Sequence, residues 1–339
     1  MFRILARCVV LSMMVWPTAS FAEPIKLKLS YFTSNREVIY RTAVKPFVDA
    51  VNSAANGSVQ IDTYVSGVLG SYPKQAELVL DGTVDLAFVN PGLTPELFPD
   101  DSVVQLPGLF RDTKEGSLAY TRLVASGKLR GHEKYFTVAA LVAGPQYIHT
   151  RSPVASLGDL KARKIRATND IEAMTLSELG LAPRVIPLNE TADAISSGEV
   201  DGTTVPPVVL VEFGLARVAR YHYLLSLGVA PVLIIMNKET FDRLPPAARE
   251  VIRQFSGEWL ALRFAQGFEV SNKLALEQLQ SDPKRVLIVP SGADLNIAEN
   301  GFRSVVEKWT AIAPRNREIL ESLRNELAKL RAHDLTRAD

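Results

Sequence analysis

The stretch Gly82-Thr83-Val84-Asp85-Leu86-Ala87-Phe88-Val89-Asn90-Pro91 decides the fold. A helical pattern over Tyr72 to Leu80 stops at Gly82, and Val84 to Val89 is a nearly continuous apolar run. Such a run suits a strand covered on both faces, as in a sheet between helices. Asn90-Pro91 closes it with turn residues. The pattern returns at Gly198-Glu199-Val200-Asp201, with Pro206-Pro207 beyond. Two readings fit this echo: two ordinary helix-to-strand turns, or two α/β lobes of similar design. In the second, the carboxyl ends of strands from both lobes face a cleft, the place where open α/β sheets bind ligands.

Strands and helices alternate outward from this stretch. Ile25 to Phe32 and Val59 to Val65 read as strands, with a helix between them capped by Asn35, interrupted at Pro46 and ended near Gly57. A helix over Thr113 to Ser126 precedes strands at Thr137 to Ala143 and Gln146 to His149. Ser156 starts a short helix, Lys164 to Ala167 is a short strand, and Asn169 and Asn189 cap the next two helices. Val229 to Met236 is another apolar strand. Phe241 to Gln280 reads as a long helical stretch broken near Ser256-Gly257, and 293–330 as a final one interrupted near Pro314.

The chain has 339 residues, 47% of them apolar and 22% charged, which fits a folded α/β protein and argues against disorder. Arg3 and Arg7, the apolar run Cys8 to Trp16, and Ser20-Phe21-Ala22 together form a secretory signal pattern, with cleavage expected after Ala22 and export expected. Taking two arginines from the 38 Lys+Arg leaves 36 against 37 Asp+Glu, so massed basic contacts to nucleic acid are excluded. The only Cys, Cys8, leaves with the signal, so no disulfide, thiol nucleophile or thiolate metal site is expected.

Enzyme signatures are lacking: no G-x-S-x-G, Walker A, G-x-G-x-x-G or H-E-x-x-H occurs. His132, His149, His222 and His333 show no metal-ligand spacing, and neither a metal nor a cofactor is expected. Asp81, Asp85, Asp193, Glu199 and Asp201 read as caps and solvated faces. Arg166 stands apart. In Lys164-Ile165-Arg166-Ala167-Thr168-Asn169 a short strand runs directly into a helix cap, which aims Arg166, with Thr168 beside it, from the strand's carboxyl end into the cleft. A guanidinium there can hold a carboxylate by two parallel hydrogen bonds, and a helix start offers further N–H groups; the alternative is a surface salt bridge.

With these residues in view, the chain resembles the periplasmic substrate-binding subunits of TRAP (tripartite ATP-independent periplasmic) transporters. The resemblance runs through Ser66-Gly67-Val68-Leu69-Gly70, Gly82 to Ala87, Leu106-Pro107-Gly108-Leu109-Phe110-Arg111, the block from Ser152-Pro153 through Asp159-Leu160-Lys161 to Lys164-Ile165-Arg166, Gly198 to Gly202, and Asn237 to Leu244-Pro245. It implies an α/β two-lobe periplasmic binding protein, type II-like, with a long helix spanning both lobes. The division expected is 23–143 and 232–270 for the first lobe, 144–231 and 271–339 for the second. It also implies that the chain is not an enzyme, that Arg166 grips the carboxylate of an organic acid, and that the partners are a small and a large integral membrane subunit.

Two positions depart from the resemblance. Gln146 stands where many relatives carry a second arginine, and Val205 where many carry Asn before Pro206. Both changes remove polarity from the cleft, so a second ligand carboxylate would go unpaired. The expected ligand is a monocarboxylate with an apolar or aromatic body, walled by Phe32, Tyr72, Phe88, Val205, Val209 and Phe213, with Asn90 beyond the first lobe's strand. A C4-dicarboxylate or a 2-oxo or hydroxy acid is the alternative, with Arg36, Arg41 or Arg151 as the cation to reach a second charge. The receptor of an ABC importer and an exported hydrolase are the alternative functions.

Overall fold

The computed structural model describes residues 23–335; the predicted signal at 1–22, with Cys8 and Trp16, lies outside the described residues, as does the side chain of His333. In chain order the first half comprises β1 (Ile25–Ser30), α1 (Lys45–Ala54), β2 (Val59–Tyr64), α2 (Gln75–Leu80), β3 (Leu86–Val89), α3 (Thr113–Ala125), β4 (Tyr135–Ala143) and β5 (Tyr147–Thr150). It continues with β6 (Lys164–Ala167), α4 (Asp170–Glu178), β7 (Ala182–Val185), α5 (Thr191–Ser197), β8 (Gly202–Val205), α6 (Pro207–Glu212) and β9 (Tyr221–Tyr223). The chain ends with β10 (Ala230–Asn237), α7 (Lys238–Arg243), α8 (Pro246–Gln254), α9 (Glu258–Ser281), β11 (Val286–Ile288), α10 (Gly292–Ile312) and α11 (Pro314–Leu335).

Two sheets result. One has the order β2-β1-β3-β10-β4 and the other β11-β9-β5-β8-β6-β7. In the first, β1 pairs parallel with β2 and β3, while β10 runs antiparallel to β3 and β4. In the second, β6 is parallel to β7 and β8, and β5 is antiparallel to β8 and β9. All four residues of β3 are buried, as its apolar run requires. The chain passes between the sheets after β4 and again before β10. These two crossing segments bond each other: the Gln146 N–H donates to the Gly228 carbonyl and the Leu227 N–H to the Gln146 carbonyl, both at 3.0 Å.

The helix α9 packs on α3 and β4 beside the first sheet and reaches β11 in the second. It begins after Gly257, whose φ of 62° is the left-handed region glycine tolerates, and whose N–H donates to the Val138 carbonyl at 2.8 Å. Buried in α9, Asn272 donates to the Gly144 carbonyl at 2.9 Å and accepts the Val208 N–H at 3.1 Å, tying the crossing region to the start of α6.

Several details differ from the sequence reading. The helical segment that runs through a π-helical stretch at Tyr40–Val44 into α1 starts at Val38, not Asn35, because the Glu37 carboxylate accepts the N–H groups of Ile39 and Tyr40 at 2.9 and 3.2 Å while Asn35 lies in a turn. Asn189 caps nothing, and α5 starts at Thr191 after a 3-10 turn over Leu188–Glu190. β7, β9 and β11 were not foreseen; β7 sits at the sheet edge, where Pro183 can be tolerated. Finally, α11 packs on α3, and its Ile319, Leu320, Leu323 and Leu327 join the core of the first sheet, although 271–339 was placed wholly with the second lobe. An amphipathic pattern fixes which face is buried but not the neighbour it is buried against.

Candidate functional site

Carboxyl ends of both sheets converge on one cavity of about 250 Å³. From the first sheet come Tyr31 and Phe32 after β1 and Asn90 after β3; from the second come Arg166 and Thr168 of β6 and its following turn, Ile186 after β7, and Val205 and Pro206 of β8. Tyr72, Phe88, Val209 and Phe213 add aromatic and aliphatic wall, and Gln146 enters from the crossing segment. All eleven residues selected from the sequence therefore lie around one space. Phe32 stacks on Tyr72 at 3.7 Å between ring centroids and on Phe88 at 5.5 Å, so the first lobe presents an aromatic face.

Arg166 owes its position to strand alternation. Ile165 and Ala167 point into the second core, which puts Arg166 on the opposite face. Arg166 is 2% exposed. Its Nε donates to the Ile186 carbonyl at 2.7 Å, and Nη1 donates to Thr168 Oγ1 at 3.0 Å and to the Thr204 carbonyl at 3.4 Å. Guanidinium has five N–H donors, so the pair on Nη2 has no partner among the described residues. Burial lowers the pKa of Arg166, and the nearby Glu172 carboxyl opposes that shift.

The helix start beside Arg166 is not an open anion site. Glu172 accepts the Thr168 N–H at 2.5 Å, and Asn169 accepts the Glu172 N–H at 2.9 Å. Burial pushes the Glu172 carboxyl above its ordinary range. The Asn169-x-x-Glu172 spacing is a capping-box signal, so Glu172 was legible in the sequence and was missed. Also missed was Glu37, which lines the cavity and had been hidden inside a supposed helix.

Gln146 is buried; its Nε2 donates to the Ala143 carbonyl at 3.4 Å and its Oε1 has no partner. Asn90 Oδ1 accepts the Gly92 N–H at 2.9 Å, so it shapes its own turn as well as lining the cavity. Arg166 is the only Lys, Arg or His among the described lining residues. Arg41 pairs with Glu212 at 2.7 Å, Arg151 lies 3.5 Å from Asp201, and neither these nor Arg36 line the cavity.

The histidines scattered in sequence are not all scattered in space. β5–β9 register places His149 beside His222, both fully buried, with Nδ1 atoms 2.9 Å apart, and His149 Nε2 lies 3.1 Å from the Val205 carbonyl oxygen. Burial lowers the pKa of His149 to about 3 and of His222 to about 4. His132 bonds Asp101 at 3.0 Å and Thr137 at 3.2 Å away from the cavity. Among the described residues no group of His, Cys, Asp and Glu is placed to hold a metal, and no helix is long and apolar enough to cross a membrane.

This geometry has counterparts. A Verminephrobacter eiseniae solute-binding protein is 26% identical over 69% of this chain and 70% of its own. The C4-dicarboxylate-binding periplasmic protein DctP of Rhodobacter capsulatus is 24% identical over 77% of this chain and 79% of its own. A TRAP solute-binding protein from Rhodoferax ferrireducens, solved with copurified benzoate, is 25% identical with a TM-score of 0.82, covering 90% of this chain and 98% of that one. The sequence profile of the bacterial extracellular solute-binding protein family 7 matches residues 29–313. The chain belongs to that family, the DctP-like periplasmic binding proteins of TRAP systems.

Proposed function

We propose that the protein is a periplasmic receptor that captures an organic acid carrying one carboxylate on an apolar or aromatic body and delivers it to the membrane subunits of a TRAP transporter. The observation that carries this reading is a single buried guanidinium, with two unsatisfied N–H groups, facing a cavity walled otherwise mostly by apolar and aromatic side chains. A carboxylate approaching end-on takes Nη2 and the Nη1 hydrogen whose present bond to Thr204 is the longest of the three. Nε stays committed to Ile186, so the side-on approach is closed. The ring or chain of the ligand then packs on Phe32, Tyr72 and Phe88.

The two lobes, divided at the crossing segments, close on the ligand because only the closed form contacts it from both sheets. The receptor performs no chemistry on its cargo. A second carboxylate finds no second cation around the cavity, which disfavours C4-dicarboxylates. Export follows from the signal at 1–22, cut after Ala22. A thermal-shift screen of organic acids tests the reading, since ligands that bind only the folded state raise its melting temperature. Monocarboxylates with apolar bodies are expected to give the largest shifts; shifts confined to sugars, amines or ABC-importer substrates such as metal chelates would contradict it.

A further inference from the structure

Glu37 is 6% exposed and lines the cavity. Its Oε2 accepts three donors: the Tyr31 hydroxyl and the N–H groups of Ile39 and Tyr40. Oε1 has no hydrogen-bond partner among the described residues, yet it is not among the atoms sealed from solvent, so it is the edge that Glu37 presents to the cavity. A ligand hydroxyl that reaches Oε1 can replace water as its donor from a fixed position. Tyr72 lines the same cavity as Glu37 and Arg166, and its phenol feels the charge of both.

We propose that Glu37 is a specificity residue whose Oε1 accepts a hydrogen bond from a hydroxyl on the ligand's body, so that the ligand is a hydroxylated acid held between Arg166 and Glu37. This rests on the carboxylate clamp proposed above. The three donors on Oε2 favour the ionised carboxyl, while burial pushes its pKa up to about 7. A ligand hydroxyl favours the ionised form further; a second ligand carboxylate would face repulsion instead. The groups around Glu37 are Tyr31 after β1, Tyr72 ahead of α2, Glu212 of α6 with its partner Arg41, and Tyr40 on its own helix. No histidine lines the cavity among the described residues.

The test is calorimetry of the intact mature protein with benzoate and phenylacetate, their ring-hydroxylated isomers and the matching methoxy compounds. At least one hydroxylated isomer is expected to bind about tenfold tighter than its parent, and its methoxy counterpart no tighter, because methoxy oxygen cannot donate. In wild type this advantage grows from pH 6 to pH 8 as Glu37 ionises, a readout that needs no variant. In Glu37→Gln the advantage, taken as the ratio of hydroxylated to parent acid within the variant, falls to about threefold or less. An advantage unchanged in Glu37→Gln, a methoxy compound as tight as the hydroxyl, or an advantage that falls as pH rises would overturn the inference. Arg166→Ala is run alongside. Parent acids that bind in an Arg166-dependent way with no benefit from any hydroxyl would leave the clamp standing and remove Glu37 from it.

Discussion

Arg166 Nε donates to the Ile186 carbonyl at 2.7 Å, and that bond sets the guanidinium with its Nη2 edge toward the cavity. The residue after β7 thus orients a side chain of β6, while Val185 at the end of β7 lines the same cavity. Arg166→Lys keeps the charge but loses the planar fork and this orienting bond. Affinity for the best monocarboxylate should fall by about a hundredfold, and Arg166→Ala should show no measurable binding by calorimetry. Near wild-type affinity in either variant would contradict the role.

Gln146 offers a direct test of charge selectivity. It lines the cavity from the crossing segment and carries an unpaired Oε1. Gln146→Arg should strengthen succinate binding by about tenfold or more relative to wild type, since a second buried carboxylate then gains a cation. Monocarboxylate affinity should not rise. Equal succinate affinity in wild type and variant would mean that Gln146 does not face the bound ligand.

Closure has a natural reporter. Trp309 in α10 is buried and its Nε1 donates to Ser102 Oγ at 3.1 Å, while α10 itself packs on α4 beside the second sheet. This bond ties α10 to the turn ahead of α3, and Trp309 itself packs in the core of the first sheet. Trp259 instead sits between Phe255 and Arg263 near the start of α9. Saturating ligand should change the intrinsic fluorescence in wild type and in Trp259→Phe, and Trp309→Phe should abolish the change. Small-angle scattering should show a smaller radius of gyration with ligand; an unchanged radius would speak against hinge closure.

The buried His149–His222 pair makes stability depend on pH. Both are neutral in the fold, with pKa values of about 3 and about 4, whereas unfolded histidine binds a proton below about 6.5. The unfolded chain therefore takes up protons as pH falls below about 6.5, and stability drops. Glu37 works against this: its folded pKa of about 7 stabilises the fold progressively as pH falls from about 7 toward 4.5. Urea midpoints measured from pH 7 to 4.5 should decline in wild type, and His222→Gln should reduce the slope by roughly one proton's worth. A slope unchanged in the variant would show that His222 is protonated in the fold.

Much of this was legible along the chain. The apolar run of β3 and the K-I-R strand end of β6 located both walls of the cavity, because strand periodicity and caps are local signals. What was not legible depended on pairing. Glu37 looked like an ordinary helical residue, and only the fold shows that it caps the helix and faces the cavity. His149 and His222 are far apart in sequence and meet only through β-strand register. The placement of α11 on α3 likewise follows from tertiary packing, since its apolar stripe would have suited either lobe.

The central claim is that one carboxylate, held by Arg166, and an apolar body together define the ligand. Calorimetric titration of the wild-type protein with benzoate and succinate under identical conditions tests it most directly. Benzoate should bind at least about tenfold tighter than succinate, a difference of about 1.4 kcal/mol. Succinate binding more tightly than benzoate and every other monocarboxylate tried would contradict it.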